Sequence, residues 1–168
     1  RGYLRVPPGD GPRPVVVMFN GTNAVKEELH WWSEAFLARG LAVITFDGPG
    51  LGETFHRLGH VAEPRPLGVA IMNPLESQPE LNPEAVAYAG LSLGGYCAIR
   101  MAAHDPRVRA VAAVSPPFSA DVYWNVTLFA MRRELAALYD MPVEEMDRHI
   151  PRITLADTLP TFDRPLMV

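Results

Sequence analysis

Short, fully apolar runs separated by longer segments of helical spacing constrain this chain more than any other feature. Val15-Val16-Val17-Met18-Phe19, Leu41-Ala42-Val43-Ile44-Thr45-Phe46, Ala85-Val86-Ala87-Tyr88-Ala89 and Ala110-Val111-Ala112-Ala113-Val114 are apolar at consecutive rather than alternate positions. That is the pattern of strands buried on both faces. Pro165-Leu166-Met167-Val168 reads as the first residues of a fifth strand. Between the first two runs, Leu29, Trp32, Phe36 and Leu37 mark one face of a helix over Val25–Arg39, with Gly40 placed as its C-terminal cap. Leu93–His104 reads as a small-residue helix ended by Pro106. Crossovers of this length join parallel strands with right-handed connections, so the class is α/β.

Composition narrows the function classes. The 168 residues amount to one domain's worth of chain, and 48% hydrophobic against 20% charged residues excludes overall disorder. A net charge of −4 without a basic block argues against nucleic acid as a partner and offers no electrostatic reason for membrane binding. The single cysteine excludes an internal disulfide framework and a multi-cysteine metal site. No apolar run approaches the roughly 18 residues that cross a bilayer. The start at Arg1 and the stop within an apolar run read as a piece of something longer.

Two stretches depart from the strand-and-helix alternation. Pro64–Pro83 has helical potential that Pro74 should break or kink. Beyond Pro116 the strand pattern ceases, and amphipathic helices are expected near Leu128–Tyr139 and Val143–Ile150. The expected division is a core over 1–117, a helical cap-like segment over 118–163, and the start of the next core strand over 164–168.

The sharpest chemical signal is Gly90-Leu91-Ser92-Leu93-Gly94, a G-x-S-x-G placed after a predicted strand and opening a predicted helix. A serine on so tight a turn adopts a strained backbone, and the flanking glycines remove side chains that would collide there. Ser92 is therefore the candidate nucleophile. Its oxyanion needs donors, and the N–H of Leu93 and that of Thr22 are the candidates. Thr22 lies in Phe19-Asn20-Gly21-Thr22-Asn23, the loop after the first run, where Gly21 permits close backbone approach. Gly21 and Tyr96 are the candidate substrate-binding residues.

These elements resemble the α/β-hydrolase superfamily. Within it they resemble the group of 2,6-dihydroxypseudooxynicotine hydrolase, fermentation/respiration-switch-type esterases and polyketide-processing hydrolases. The resemblance rests on Phe19-Asn20-Gly21-Thr22 with Lys26-Glu27-Glu28-Leu29, on Phe46-Asp47-Gly48-Pro49-Gly50-Leu51-Gly52-Glu53, and on Leu75–Pro83. Gly90–Tyr96 and Asp105-Pro106-Arg107-Val108-Arg109-Ala110 complete it. Asn20 stands where many members carry glycine, and Pro74 interrupts a helix that is usually continuous. The resemblance implies a helical domain before the first strand, and a catalytic acid and histidine beyond Val168, in the order Ser, acid, His.

The chain's own histidines are poor substitutes. His30 lies on the first helix, His56 and His60 in the loop after Glu53, and His149 in the cap-like segment. His104 is twelve positions past Ser92, about 18 Å along a helix. Asp157 and Asp163 precede the last strand rather than follow it. Asp47 reads as a turn former, Cys97 as a small buried residue, Ser115 as a possible pocket border, and Trp31, Trp32 and Trp124 as packing.

The expected protein is thus a cytoplasmic serine hydrolase with an α/β-hydrolase-type, mostly parallel sheet, incomplete at both ends. It would cleave an ester or activated ketone through an acyl-enzyme on Ser92, with a small-molecule acyl substrate, no metal and no organic cofactor. A homodimer or a complementing segment supplying the acid and histidine is a further expectation. A prolyl-oligopeptidase-like peptidase and a non-catalytic binding module on the same fold are the alternatives.

Overall fold

A computed structural model describes residues 2–59, 64–127 and 129–168. Six strands form one sheet in the order β1-β3-β2-β4-β5-β6. The strands are β1 (Gly2–Arg5), β2 (Arg13–Phe19), β3 (Ala42–Phe46), β4 (Leu81–Leu91), β5 (Val108–Val114) and β6 (Leu166–Met167). All neighbours pair in parallel except β1, which runs antiparallel to β3. The sheet is therefore the mostly parallel α/β arrangement read from the apolar runs, with β1 as an edge strand that no periodic signal announced.

Side-chain parity on β2 divides the molecule. Val15, Val17 and Phe19 join the larger core cluster, which includes α2 (Arg65–Glu76) and α3 (Leu93–Ala102). Val16 and Met18 join the smaller one with Leu29, Phe36 and Leu37 around α1 (His30–Leu37). Both faces of β2 are thus covered by helices, which is why its residues are apolar without alternation. The chain steps from β2 to β3 on one side and to β4 on the other. The strand order therefore reverses between β2 and β4, and ligands of open α/β sheets bind at the carboxyl ends of the strands at such a point.

Several local readings are corrected. Pro74 does not break α2, which runs on to Glu76. Pro74 removes one backbone donor from the last turn, but Met72 and Leu75, 0% and 1% exposed, hold that turn against the core. The first helix is shorter than expected, with a 3-10 turn over Lys26–Leu29 leading into α1. Its buried position is Ser33, whose Oγ donates to Leu29 O at 2.8 Å. Trp31 and Trp32 are exposed, at 81% and 46%, rather than packed. β4 begins earlier than the apolar run because Leu81 pairs with Arg13 across an irregularity in register.

After β5 come α4 (Ala120–Val126), α5 (Phe129–Leu138) and α6 (Val143–His149), then short 3-10 turns over Ile150–Arg152 and Leu159–Thr161. Arg100 of α3 ties this segment to the core. Its Nη1 donates to Thr154 O at 2.9 Å, to Asp157 Oδ1 at 2.6 Å and to Thr158 Oγ1 at 3.2 Å. β6 then returns beside β5, Leu166 opposite Val111.

Candidate active site

β4 ends at Leu91 and α3 begins at Leu93, leaving Ser92 alone on the turn with φ 53° and ψ −122°. A positive φ on a non-glycine residue is strained. Here the surroundings impose it. The Ser92 N–H donates to Val114 O of β5 at 2.8 Å, and Ser92 O accepts from the N–H of Gly95 at 2.9 Å. The glycines are steric requirements. A Cβ on Gly90 would lie 2.2 Å from Gly94 O, and one on Gly94 would lie 2.3 Å from Phe19 O. The Ser92 side chain is left exposed above the strand ends.

The loop after β2 comes alongside. A Cβ on Gly21 would sit 3.5 Å from Ser92 Cβ, so the backbone of Gly21 passes directly by the nucleophile. The next residues form a turn in which the Ala24 N–H donates to Gly21 O at 3.2 Å, with Thr22 and Asn23 at its tip. Among the described residues, neither the Thr22 N–H nor the Leu93 N–H has an acceptor. Two free backbone donors beside an exposed serine are what an oxyanion hole requires.

A cavity of about 380 Å³ opens over this group, lined at its base by Thr22, Asn23, Ser92 and Leu93. Its walls come from the segment after β5, including Tyr123, Trp124, Leu135, Tyr139 and Met146. Trp124 is buried, and its indole N–H donates to Asp147 Oδ1 at 2.6 Å while the Arg132 guanidinium lies 5.2 Å over its ring. Ser115, also in the lining, has φ 48°. Tyr96, expected at the pocket border, is instead 1% exposed in the core beneath and does not line the cavity.

The described histidines lie elsewhere. His30 faces Arg5 and Glu34. His56 stacks edge-on against Phe55 in an adjoining cleft that also reaches Thr22. His149 packs against the Tyr139 ring, and burial lowers its pKa. His104 follows the end of α3, and His60 is outside the described residues. Among the described residues, none of these rings hydrogen-bonds Ser92. Asp157 is engaged with Arg100, and Asp163 is 81% exposed beside Arg164. No group of three or more metal-ligating side chains occurs among the described residues, and none of their helices is long and apolar enough to cross a membrane.

One group escaped the sequence reading. Lys26, in a Lys-Glu-Glu run that resembles a solvated surface, is 2% exposed, and its Nζ lies 2.7 Å from Asp47 Oδ2. Asp47 is therefore more than a turn former. Burial opposes its ionisation. Donation from the Lys26 side chain and from the N–H groups of Lys26 and Glu53 outweighs that and holds its pKa below the ordinary value. The hydrogen bond to Asp47 in turn raises the pKa of Lys26.

A serine on a glycine-flanked turn after a central parallel strand, at the point where strand order reverses, defines an α/β hydrolase fold. Within that class, the chain belongs to the FrsA-like esterase family, whose family model matches residues 1–151. It is 36% identical over 124 residues to 2,6-dihydropseudooxynicotine hydrolase of Paenarthrobacter nicotinovorans, covering 74% of this chain and 34% of that protein. It is 38% identical over 143 residues to Hydrolase ORFZ of Pyricularia oryzae, covering 76% of this chain and 32% of that one. The crystal structure of 2,6-dihydroxy-pseudo-oxynicotine hydrolase superposes with a TM-score of 0.90 at 30% identity, over 98% of this chain and 47% of the other. The chain thus spans about a third of the length of these curated relatives.

Proposed function

We propose that the protein is a cytoplasmic serine hydrolase that cleaves an ester or an activated ketone through an acyl-enzyme on Ser92. Ser92 Oγ attacks the carbonyl carbon and its proton passes to a histidine. The carbonyl oxygen becomes an oxyanion that accepts from the N–H groups of Leu93 and Thr22. Collapse breaks the C–O or C–C bond, the leaving group takes the proton, and water then releases the acyl group from Ser92. The histidine and its acid are assigned to sequence beyond Val168 or to a complementing chain, following the order Ser, acid, His of α/β hydrolases.

One observation carries this reading. A serine at φ 53° opens into a cavity beside two backbone N–H groups that have no acceptor among the described residues. The apolar, aromatic walls support a substrate with an aromatic or polyketide acyl part, and the relative named 2,6-dihydropseudooxynicotine hydrolase is in keeping with an aromatic one. The test is Ser92→Ala in the full-length protein, with aryl esters and aryl ketones as substrates and a fluorophosphonate as probe. Turnover is expected to fall by at least about a thousandfold with the fold retained, and labelling should vanish. Turnover close to wild type in Ser92→Ala would sink the assignment.

A further inference from the structure

We propose that the buried pair Lys26–Asp47 is the positioning device of the oxyanion hole, acting on Thr22 through the turn that carries it; this rests on the serine-hydrolase reading. The Gly21–Ala24 turn presents the Thr22 N–H, and the Asp47 carboxylate holds that turn at both ends. Before the turn, Asn20 Nδ2 lies 3.5 Å from Asp47 Oδ1 and donates at 2.7 Å to Ala24 O, closing the loop on itself. After the turn, the Lys26 N–H donates to the same Oδ1 at 2.9 Å. Asn20 is thereby part of the clamp.

The other carboxylate oxygen is held by charge. Asp47 Oδ2 accepts from Lys26 Nζ at 2.7 Å and from the Glu53 N–H at 3.2 Å. The two side chains are 1% and 2% exposed, so neither charge is screened by water. Lys26 Nζ also meets Glu53 Oε1 at 3.1 Å and Glu27 Oε1 at 3.0 Å, and Tyr3 of β1 donates its hydroxyl to Glu27. The loops after β2 and β3 and the edge strand β1 thus converge on one ammonium group. Gly52 is fitted to the same carboxylate, since a Cβ there would lie 2.3 Å from Asp47 Cγ.

Removing the ammonium leaves a buried carboxylate without its cation; it takes up a proton or draws in water, and either change alters the bonds by which Asp47 holds the two loops. A misplacement of about 1 Å in a catalytic group can cost about a hundredfold in rate. Because the displaced donor serves the oxyanion rather than the ground-state carbonyl, the loss falls on kcat.

The test compares Lys26→Met, Asp47→Asn and Ser92→Ala in the full-length protein, with a 4-nitrophenyl ester as substrate and rates normalised to folded protein. Lys26→Met and Asp47→Asn should each lower kcat by roughly ten- to a hundredfold with KM within about twofold. Affinity for an aryl trifluoromethyl ketone, whose adduct places an oxyanion in the hole, should fall by the same factor as kcat. If Lys26→Met does not accumulate folded, Asp47→Asn, equal in size and uncharged, carries the comparison. Unchanged kcat and inhibitor affinity in folded Asp47→Asn, with Ser92→Ala inactive, overturns the positioning role and leaves the hydrolase reading standing. Full turnover in Ser92→Ala overturns both.

Discussion

A Cβ on Gly94 would lie 2.3 Å from the carbonyl oxygen of Phe19, so the first turn of α3 can sit against the end of β2 only without a side chain at this position. Gly94→Ala must therefore push α3 away from β2 or distort the turn at Ser92. Overpacking of this kind costs about 1–3 kcal/mol. The expected result is a lower denaturant midpoint together with loss of fluorophosphonate labelling in the protein that remains folded. Gly95→Ala, whose Cβ would meet Pro116 Cβ at 3.1 Å and both Ala113 Cβ and Gly90 O at 3.2 Å, should cost less in both measurements.

Trp124 in the wall of the cavity is held by Asp147 at one edge and by Arg132 across its face. Trp124→Phe enlarges the cavity and removes the indole donor, leaving Asp147 without that partner. Esters with a bulky bicyclic acyl part should gain in kcat/KM relative to acetyl esters by about tenfold, the scale of one or two methylene groups in an apolar pocket. A panel of 4-nitrophenyl esters graded in acyl size reads this directly. An unchanged preference across the panel would remove Trp124 from the specificity wall.

Arg100 ties α3 to the segment after β5 through Thr154, Asp157 and Thr158. Asp157 is largely exposed and its pairing is weak, whereas the bonds to Thr154 O and Thr158 Oγ1 are shielded. Arg100→Met should lower global stability by about 2 kcal/mol, the usual worth of shielded hydrogen bonds to a charged group. Amide exchange should quicken over 153–161 more than in β2 or β4, which hydrogen-exchange mass spectrometry resolves.

Acid should destabilise the protein through aspartates held in ionised form. Asp105 is held below the ordinary value of 3.8 chiefly by hydrogen bonding from the Arg107 side chain. Asp47 is likewise depressed, its bonds from Lys26 and Glu53 overcoming burial. A depressed folded pKa means stability that is fully present above the unfolded value and is lost as pH falls through the folded one. Melting temperature should accordingly hold down to near pH 4 and fall below it. Asp105→Asn should melt lower at pH 7 and show a shallower acid decline. An acid decline identical to wild type would show that Asp105 is not among the responsible groups.

Much of this protein is legible in the amino-acid order because the governing interactions are short-range. The four inner strands, β2 to β5, show as largely apolar runs, since a strand covered on both faces has little polar side to alternate, and the edge strand β6 shows only as the apolar Pro165–Val168. The strained turn at Ser92 is announced by Gly90 and Gly94, whose reason is steric and operates within a few residues and one neighbouring strand. β1 was not legible, because four residues whose side chains stay largely exposed carry no periodic signal and acquire their order only from β3. Pro74 and Trp31 misled in opposite directions. Packing of Met72 and Leu75 carries α2 through the proline, while Trp31 lies two residues before the buried Ser33 of α1, on the opposite face of the helix, and is left exposed. Lys26 shows the limit most clearly. Local order makes it a surface residue, and only the convergence of two loops and an edge strand buries it against Asp47. An ion pair gains this much significance only where water is excluded, and exclusion of water belongs to the assembled tertiary structure.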